Sequence, residues 1–240
     1  MSLAFKLILT LLLELVYAVA TRAWLPSWFH GVRLELLISA GRALVAGIVW
    51  MLFRDSLLAQ NGRAEHQQYP LVLAAATALF LEAILVGNAG LDGRPLRGTF
   101  AATSFVVGVH EELVYRGVLQ NLLLARTNLP FSLLLSSLCF TLYHFGAQPL
   151  NPLNFLYIFL TSCTLGLIYE RTRSLGIVIG IHAIVDALFS FSPFLHPPWP
   201  PLFGDYIVLV ALLMALSLHP NRGTRPQSQV PQLVRIADDV

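Results

Sequence analysis

Eight stretches of the chain stay apolar for about the length of a membrane-crossing helix, and polar or proline-rich punctuation separates them. They span 4–20, 34–53, 70–90, 99–125, 130–149, 152–169, 174–194 and 203–219. Crossing a hydrocarbon core takes about 20 mostly apolar helical residues, because every backbone polar group must be satisfied within the segment. Pro130 opens the fifth stretch and Pro152 the sixth, and the run from Pro197 to Pro201 divides the seventh from the eighth. The pattern predicts an all-α, polytopic transmembrane bundle of about eight spans. It forms a single helical domain over 1–219, followed by a disordered cytoplasmic tail at 220–240 rich in Pro, Gln, Arg and Asp. The run after Lys6 ends in Ala18-Val19-Ala20, which resembles a signal-peptide cleavage site. Its length, Glu14 within it and the spans that follow favour an uncleaved first span.

Composition sharpens this picture. Hydrophobic residues make up 56% of the chain and charged residues 12%, against roughly 25% charged in soluble domains. A net charge of +2 gives no footprint for nucleic acid. Cys139 and Cys163, both in apolar runs, have neither disulfide-framework nor metal-ligand spacing. Basic residues are distributed unequally between the ends of the spans. Lys6, Arg54, Arg63, Arg126, Arg171, Arg173, Arg222, Arg225 and Arg235 fall on one side, and Arg22, Arg33, Arg94 and Arg97 on the other. The bias places both termini in the cytoplasm and the Pro-rich loop 193–203 outside, with Trp199 as an interfacial anchor.

Ionisable groups in the middle of such spans cost about 2.5–3.5 kcal/mol each on insertion scales, so each needs a reason. Segment four carries His110-Glu111-Glu112 and Arg116, segment five His144, and segment seven His182 and Asp186. Glu112 and Arg116, four residues apart, share a helical face and can neutralise one another. Glu111 is turned by about 100° from Glu112 and has no intrahelical cation, which leaves it free to act as a general base or acid. Val107 and Gly108, one turn earlier, are small enough to let another helix come close. His182 and Asp186 also share a face, so the aspartate can orient the imidazole. Glu14, Arg42 and Glu82 read as structural staples or cavity-lining groups, and His110, adjacent to the glutamates but on another face, stays outside the site.

At these residues the sequence resembles the CPBP intramembrane proteases, the group that includes the CaaX-processing Rce-type endopeptidases and bacterial Abi proteins. Glu111-Glu112-Leu-Val-Tyr-Arg116 is similar to the family's EExxxR motif, Phe140-Thr-Leu-Tyr-His144 to FxxxH, and His182-Ala-Ile-Val-Asp186 to HxxxN/D. All three occur in the family's order, over about residues 100–190. The resemblance implies an intramembrane endopeptidase in a prokaryotic plasma membrane, acting on a peptide or protein substrate with a hydrophobic or lipidated segment. It implies that Glu111 and His144 activate a water and that His182 and Asp186 steady the oxyanion or the site geometry. Glu112 and Arg116 would hold the surrounding structure. It favours a metal-free glutamic-type reaction, with a zinc metalloprotease as the alternative, since His and carboxylate ligands suit zinc.

Other intramembrane peptidase chemistries lack their marks. No His-Glu-x-x-His is present, because Val114 stands four after His110. Neither a Gly-x-Ser-Gly turn nor paired Gly-x-Gly-Asp and Tyr-Asp motifs occur, and Cys139 and His144, five apart, point to different faces. Two readings from other classes remain: a non-catalytic membrane scaffold or immunity protein on the same fold, and a proton-coupled transporter, whose broken helices and inverted repeats are not evident.

Overall fold

The computed structural model describes residues 3–60, 69–85, 94–147, 152–191, 204–209 and 211–212. Among these the architecture is helical, as the hydrophobic pattern predicts. α1 (Leu3–Val19) continues through a π turn, Ala20–Trp24, and a 3-10 turn, Leu25–Ser27, where Pro26 ends the helical ladder. α2 is Gly31–Gln60 and α3 is Tyr69–Leu85. The next rod has three parts: α4 (Arg94–Glu112), a π-helical stretch Leu113–Gln120, and α5 (Asn121–Arg126). α6 (Leu129–Tyr143) starts where the Asn128 side chain accepts the Phe131 N–H at 3.0 Å, with Pro130 in its first turn. α7 is Pro152–Thr172, α8 is Leu175–Phe191, and a short helical stretch follows at 204–209. The expected loop 193–203 and tail 220–240 lie outside the described residues.

The surface is apolar where that of a protein in water would be polar. α1 turns Ile8, Leu11, Leu12, Leu15 and Val19 outward while burying Thr10 and Glu14. Contiguous apolar surface of this kind suits lipid. Two helical runs, Ala4–Ser27 and Gly31–Leu58, are long and apolar enough to cross a membrane by themselves. Pro70–Ile84, Leu129–Tyr143 and Leu175–Phe191 are apolar but shorter. The rod containing α4 is long, but the charged residues of the candidate site interrupt it.

α4 lies at the centre and packs most extensively on α8 and then on α2, while α6 packs on α7. The α4–α8 approach depends on Gly108. A Cβ added there would stand 3.0 Å from the Ile179 carbonyl oxygen and 3.4 Å from the Ala183 nitrogen, so the expectation of a close helix at this point holds. Polar groups also lie buried away from the centre. Asp205 accepts from the Thr161 hydroxyl at 2.9 Å, and Glu82 on α3 is buried as well.

Candidate active site

The site begins where α4 changes its pitch. From Leu113 to Gln120 the helix widens to π geometry, a deviation that recurs at functional sites. The wider turn loosens the hold on backbone carbonyls, and side chains take up the slack. The Asn121 amide donates to the Arg116 and Gly117 carbonyls at 2.8 and 3.1 Å, and the Ser132 hydroxyl donates to that of Gln120 at 2.7 Å.

Glu111, Glu112 and Arg116 are all buried here. Arg116 Nε lies 3.1 Å from Glu112 Oε2, the pairing that four-residue spacing predicts. The guanidinium also donates to the Ser162 carbonyl and hydroxyl, both at 2.9 Å, and rests 4.8 Å from the Phe140 ring centroid. Multiple partners are what a charge buried among helices requires.

The other Glu112 oxygen accepts from His182 Nδ1 at 2.6 Å. Glu112 therefore ties α4 to α8 as well as to Arg116. This corrects the expectation that Asp186 orients His182: its Oδ2 lies 3.7 Å from His182 Nε2, beyond hydrogen-bond range. The close α4–α8 approach at Gly108 turns Nδ1 of His182 toward Glu112, and the carboxylate on the neighbouring helix takes the role assigned to the one on the same face.

Glu111 is arranged differently. Its Oε2 has no hydrogen-bond partner and faces two imidazole nitrogens, His144 Nε2 at 3.9 Å and His182 Nε2 at 3.8 Å. His144 Nδ1 lies 2.9 Å from the Phe140 carbonyl oxygen, which can only accept, so Nδ1 carries the hydrogen. In the neutral ring, Nε2 of His144 is then a free lone pair aimed at Glu111. The 3.8–3.9 Å separations are too long for direct hydrogen bonds and suit one bridging water. Glu111, Glu112, Arg116, His144 and His182 thus converge, with Asp186 at the rim.

Sequence reasoning missed a second buried pair. His110 is fully buried, and its Nε2 lies 2.8 Å from Glu14 Oε1 on α1. Its ring lies among those of Tyr17 and Tyr143, centroids 5.4 and 6.1 Å away, and Tyr143 stands edge-on to His144 at 5.7 Å. Arg22, also on the α1 rod, donates to the Tyr143 and Phe145 carbonyls. α1 is thereby fastened to the elements that carry Glu111 and His144. Glu14 in an apolar run was the visible signal; its partner 96 positions away was not. Replacing Glu14 by Leu should leave His110 buried and unpaired. Loss of one member of a buried pair costs about 3–5 kcal/mol, or roughly 6–20 °C in melting temperature for a chain of this size. Thermal unfolding in detergent measures it, and an unchanged melt would refute the fastening.

The described residues thus combine exposed apolar helical faces with a buried glutamate–histidine centre. Residues 94–188, from the start of α4 nearly to the end of α8, match the family model described as type II CAAX prenyl endopeptidase Rce1-like. The matched segment contains all six residues selected from the sequence. No curated protein matches the chain, and no solved structure does.

Proposed function

We propose that the chain is an intramembrane endopeptidase that hydrolyses a peptide bond in a membrane-associated or lipidated substrate. The observation that carries this is the unpartnered Glu111 Oε2 facing two histidine Nε2 atoms at water-bridging distance. Glu111 and His144 take a proton from a water placed between them, and the water oxygen attacks the scissile carbonyl. His182 then stabilises the developing oxyanion through Nε2–H, its charge supported from behind by Glu112, with Asp186 at the edge of the same pocket. Glu111, now protonated, returns the proton to the leaving amine. Glu112 and Arg116 hold the geometry.

The helices cross the bilayer several times, with both termini in the cytoplasm, as the basic-residue bias indicates. The reaction is metal-free. Glu111 serves as the base that activates the water, so the step needs no Lewis acid; zinc held by Glu111 and the Nε2 atoms of His144 and His182 is the alternative that a chelator decides.

Purified protein in detergent, incubated with a library of peptides bearing hydrophobic or lipidated segments, should give defined products whose yield is unaffected by a strong zinc chelator. Cleavage that disappears with chelator and returns with zinc would overturn the metal-free assignment. Absence of cleavage across the library would overturn the endopeptidase.

A further inference from the structure

We infer that Arg22 is a positioning residue of the catalytic centre: it clamps the turn that ends α6 and so sets where His144 presents Nε2 to Glu111. This rests on the endopeptidase reading above, and it gives a part in catalysis to the N-terminal rod, which precedes the matched residues 94–188.

His144 stands at a weak place of its helix. It is the C-cap of α6, at φ −77 and ψ −5, and Phe145, Gly146 and Ala147 beyond it are exposed. The last carbonyls of a helix have no partner in a following turn, and helix ends open locally before the rest of a fold does. Single turn bonds close this end: His144 N–H donates to Thr141, Phe145 N–H to Leu142 and Ala147 N–H to His144, at 3.1, 3.0 and 3.0 Å. The bond between His144 Nδ1 and the Phe140 carbonyl fixes the tautomer, not the place of the turn. Yet Nε2 has to stay 3.9 Å from Glu111 Oε2 for one water to bridge them. Misplacement by about 1 Å at a reacting centre can cost about 10²-fold in rate.

Arg22 supplies what the turn lacks. Its guanidinium donates to the Phe145 carbonyl at 2.8 Å and also to the Tyr143 carbonyl, so one planar group holds the residues on both sides of His144. The same group lies 4.7 Å from the centroid of the Tyr143 ring, which stands edge-on to the His144 ring at 5.7 Å. The Arg22 stem runs along Gly146, where φ is +80; a Cβ added there would be 3.6 Å from Arg22 Cδ. A cation at this point also meets the negative end of the α6 dipole. Gripping two carbonyls in a fixed geometry is a property of the guanidinium fork that a lysine ammonium does not share.

The rod that carries Arg22 is itself fixed to the other half of the centre. Arg22 lies in the π turn Ala20–Trp24, and the Thr21 hydroxyl donates to the Tyr17 carbonyl at 2.8 Å. About two turns before Arg22, Glu14 binds His110, the residue preceding Glu111. Tyr17, between them, packs so closely on α2 that a Cβ at Gly41 would be 3.1 Å from its ring. α6 packs on the α4 rod along the π-helical stretch beyond Glu112. Among the described residues, the hydrogen-bonded link from the His144 turn to α4 itself runs through α1. Arg22 therefore ties the histidine to the helix of the glutamate it works with.

Arg22→Ala tests this on the full chain in detergent, with a fluorogenic peptide that the unsubstituted protein cleaves. kcat should fall about 10²-fold with KM nearly unchanged, since no contact with substrate is removed. Arg22 is half-buried and its bond to Phe145 is exposed, so a free guanidinium ion can reach the two carbonyls once the side chain is gone. Guanidinium chloride at sub-denaturing concentration should restore much of the lost rate, and sodium chloride at equal concentration should not. Arg22→Lys, which keeps the charge without the fork, should remain close to Arg22→Ala. Unchanged kcat in Arg22→Ala, full activity in Arg22→Lys, or an equal response to the two salts would overturn the positioning role. Hydrogen–deuterium exchange reads the clamp without turnover: amides of residues 144–147 should exchange faster in Arg22→Ala while those of α8 keep their rates. Unchanged exchange at 144–147 would overturn the clamp itself. An unsubstituted chain that cleaves no peptide would overturn the endopeptidase reading and with it the part of Arg22 in catalysis, the exchange still deciding the clamp.

Discussion

Glu111→Gln should abolish cleavage while leaving the fold intact, with kcat falling by about 10³-fold or more and the melting temperature in detergent nearly unchanged. General-base catalysis is worth typically 10²–10⁴-fold, and here the same carboxylate also returns the proton. Glutamine has the shape of glutamate but cannot accept a proton from water. Stability should survive because Oε2 of Glu111 has no hydrogen-bond partner to lose. The neighbouring residue behaves oppositely. In Glu112→Gln the charge paired with Arg116 Nε and His182 Nδ1 disappears, so melting temperature and activity should fall together. Product quantification by mass spectrometry beside a thermal melt separates the two. Normal turnover in Glu111→Gln would sink the mechanism.

Gly108→Val should cost both stability and activity, although residue 108 contributes no functional group. Its Cβ would be 3.0 Å from the Ile179 carbonyl oxygen, an atom of the α8 backbone that no rotamer change can move aside. Overpacking costs about 1–3 kcal/mol, and for a chain of this size that is roughly 2–12 °C in melting temperature. Separating α4 from α8 also stretches the 2.6 Å contact between Glu112 and His182. A displacement of about 1 Å in a catalytic constellation can cost about 10²-fold in rate. Gly98→Ala on the same helix is the control: a Cβ there meets nothing within 4 Å, and alanine is the better helix former. Equal melts and equal rates for the two variants would show that the close approach is not what positions His182.

The sequence by itself determined the features that depend on local repetition. Lipid leaves no partner for unpaired backbone groups, so apolar runs of sufficient length must be helical, and among the described residues helices stand where the first seven runs lie. The Glu112–Arg116 pair was legible because four-residue spacing fixes which side chains meet on one helix. Gly108 was legible because a missing side chain invites a neighbour whatever the neighbour is. The family resemblance selected the site residues, and the match over 94–188 covers them.

Tertiary structure alone decided the contacts that depend on how each helix is rotated about its axis. His182 binds Glu112 on α4 rather than Asp186 on its own face, because packing at Gly108 sets the rotation of α8. His110 finds Glu14 across 96 positions, a separation over which no periodicity carries information. The π widening after Glu112 is held by Asn121 and Ser132, the second reaching across from α6, so no count of residues per turn within the rod could announce it. Local geometry is written along one helix; the rotation and depth of each helix against the others follow only from the sum of their contacts.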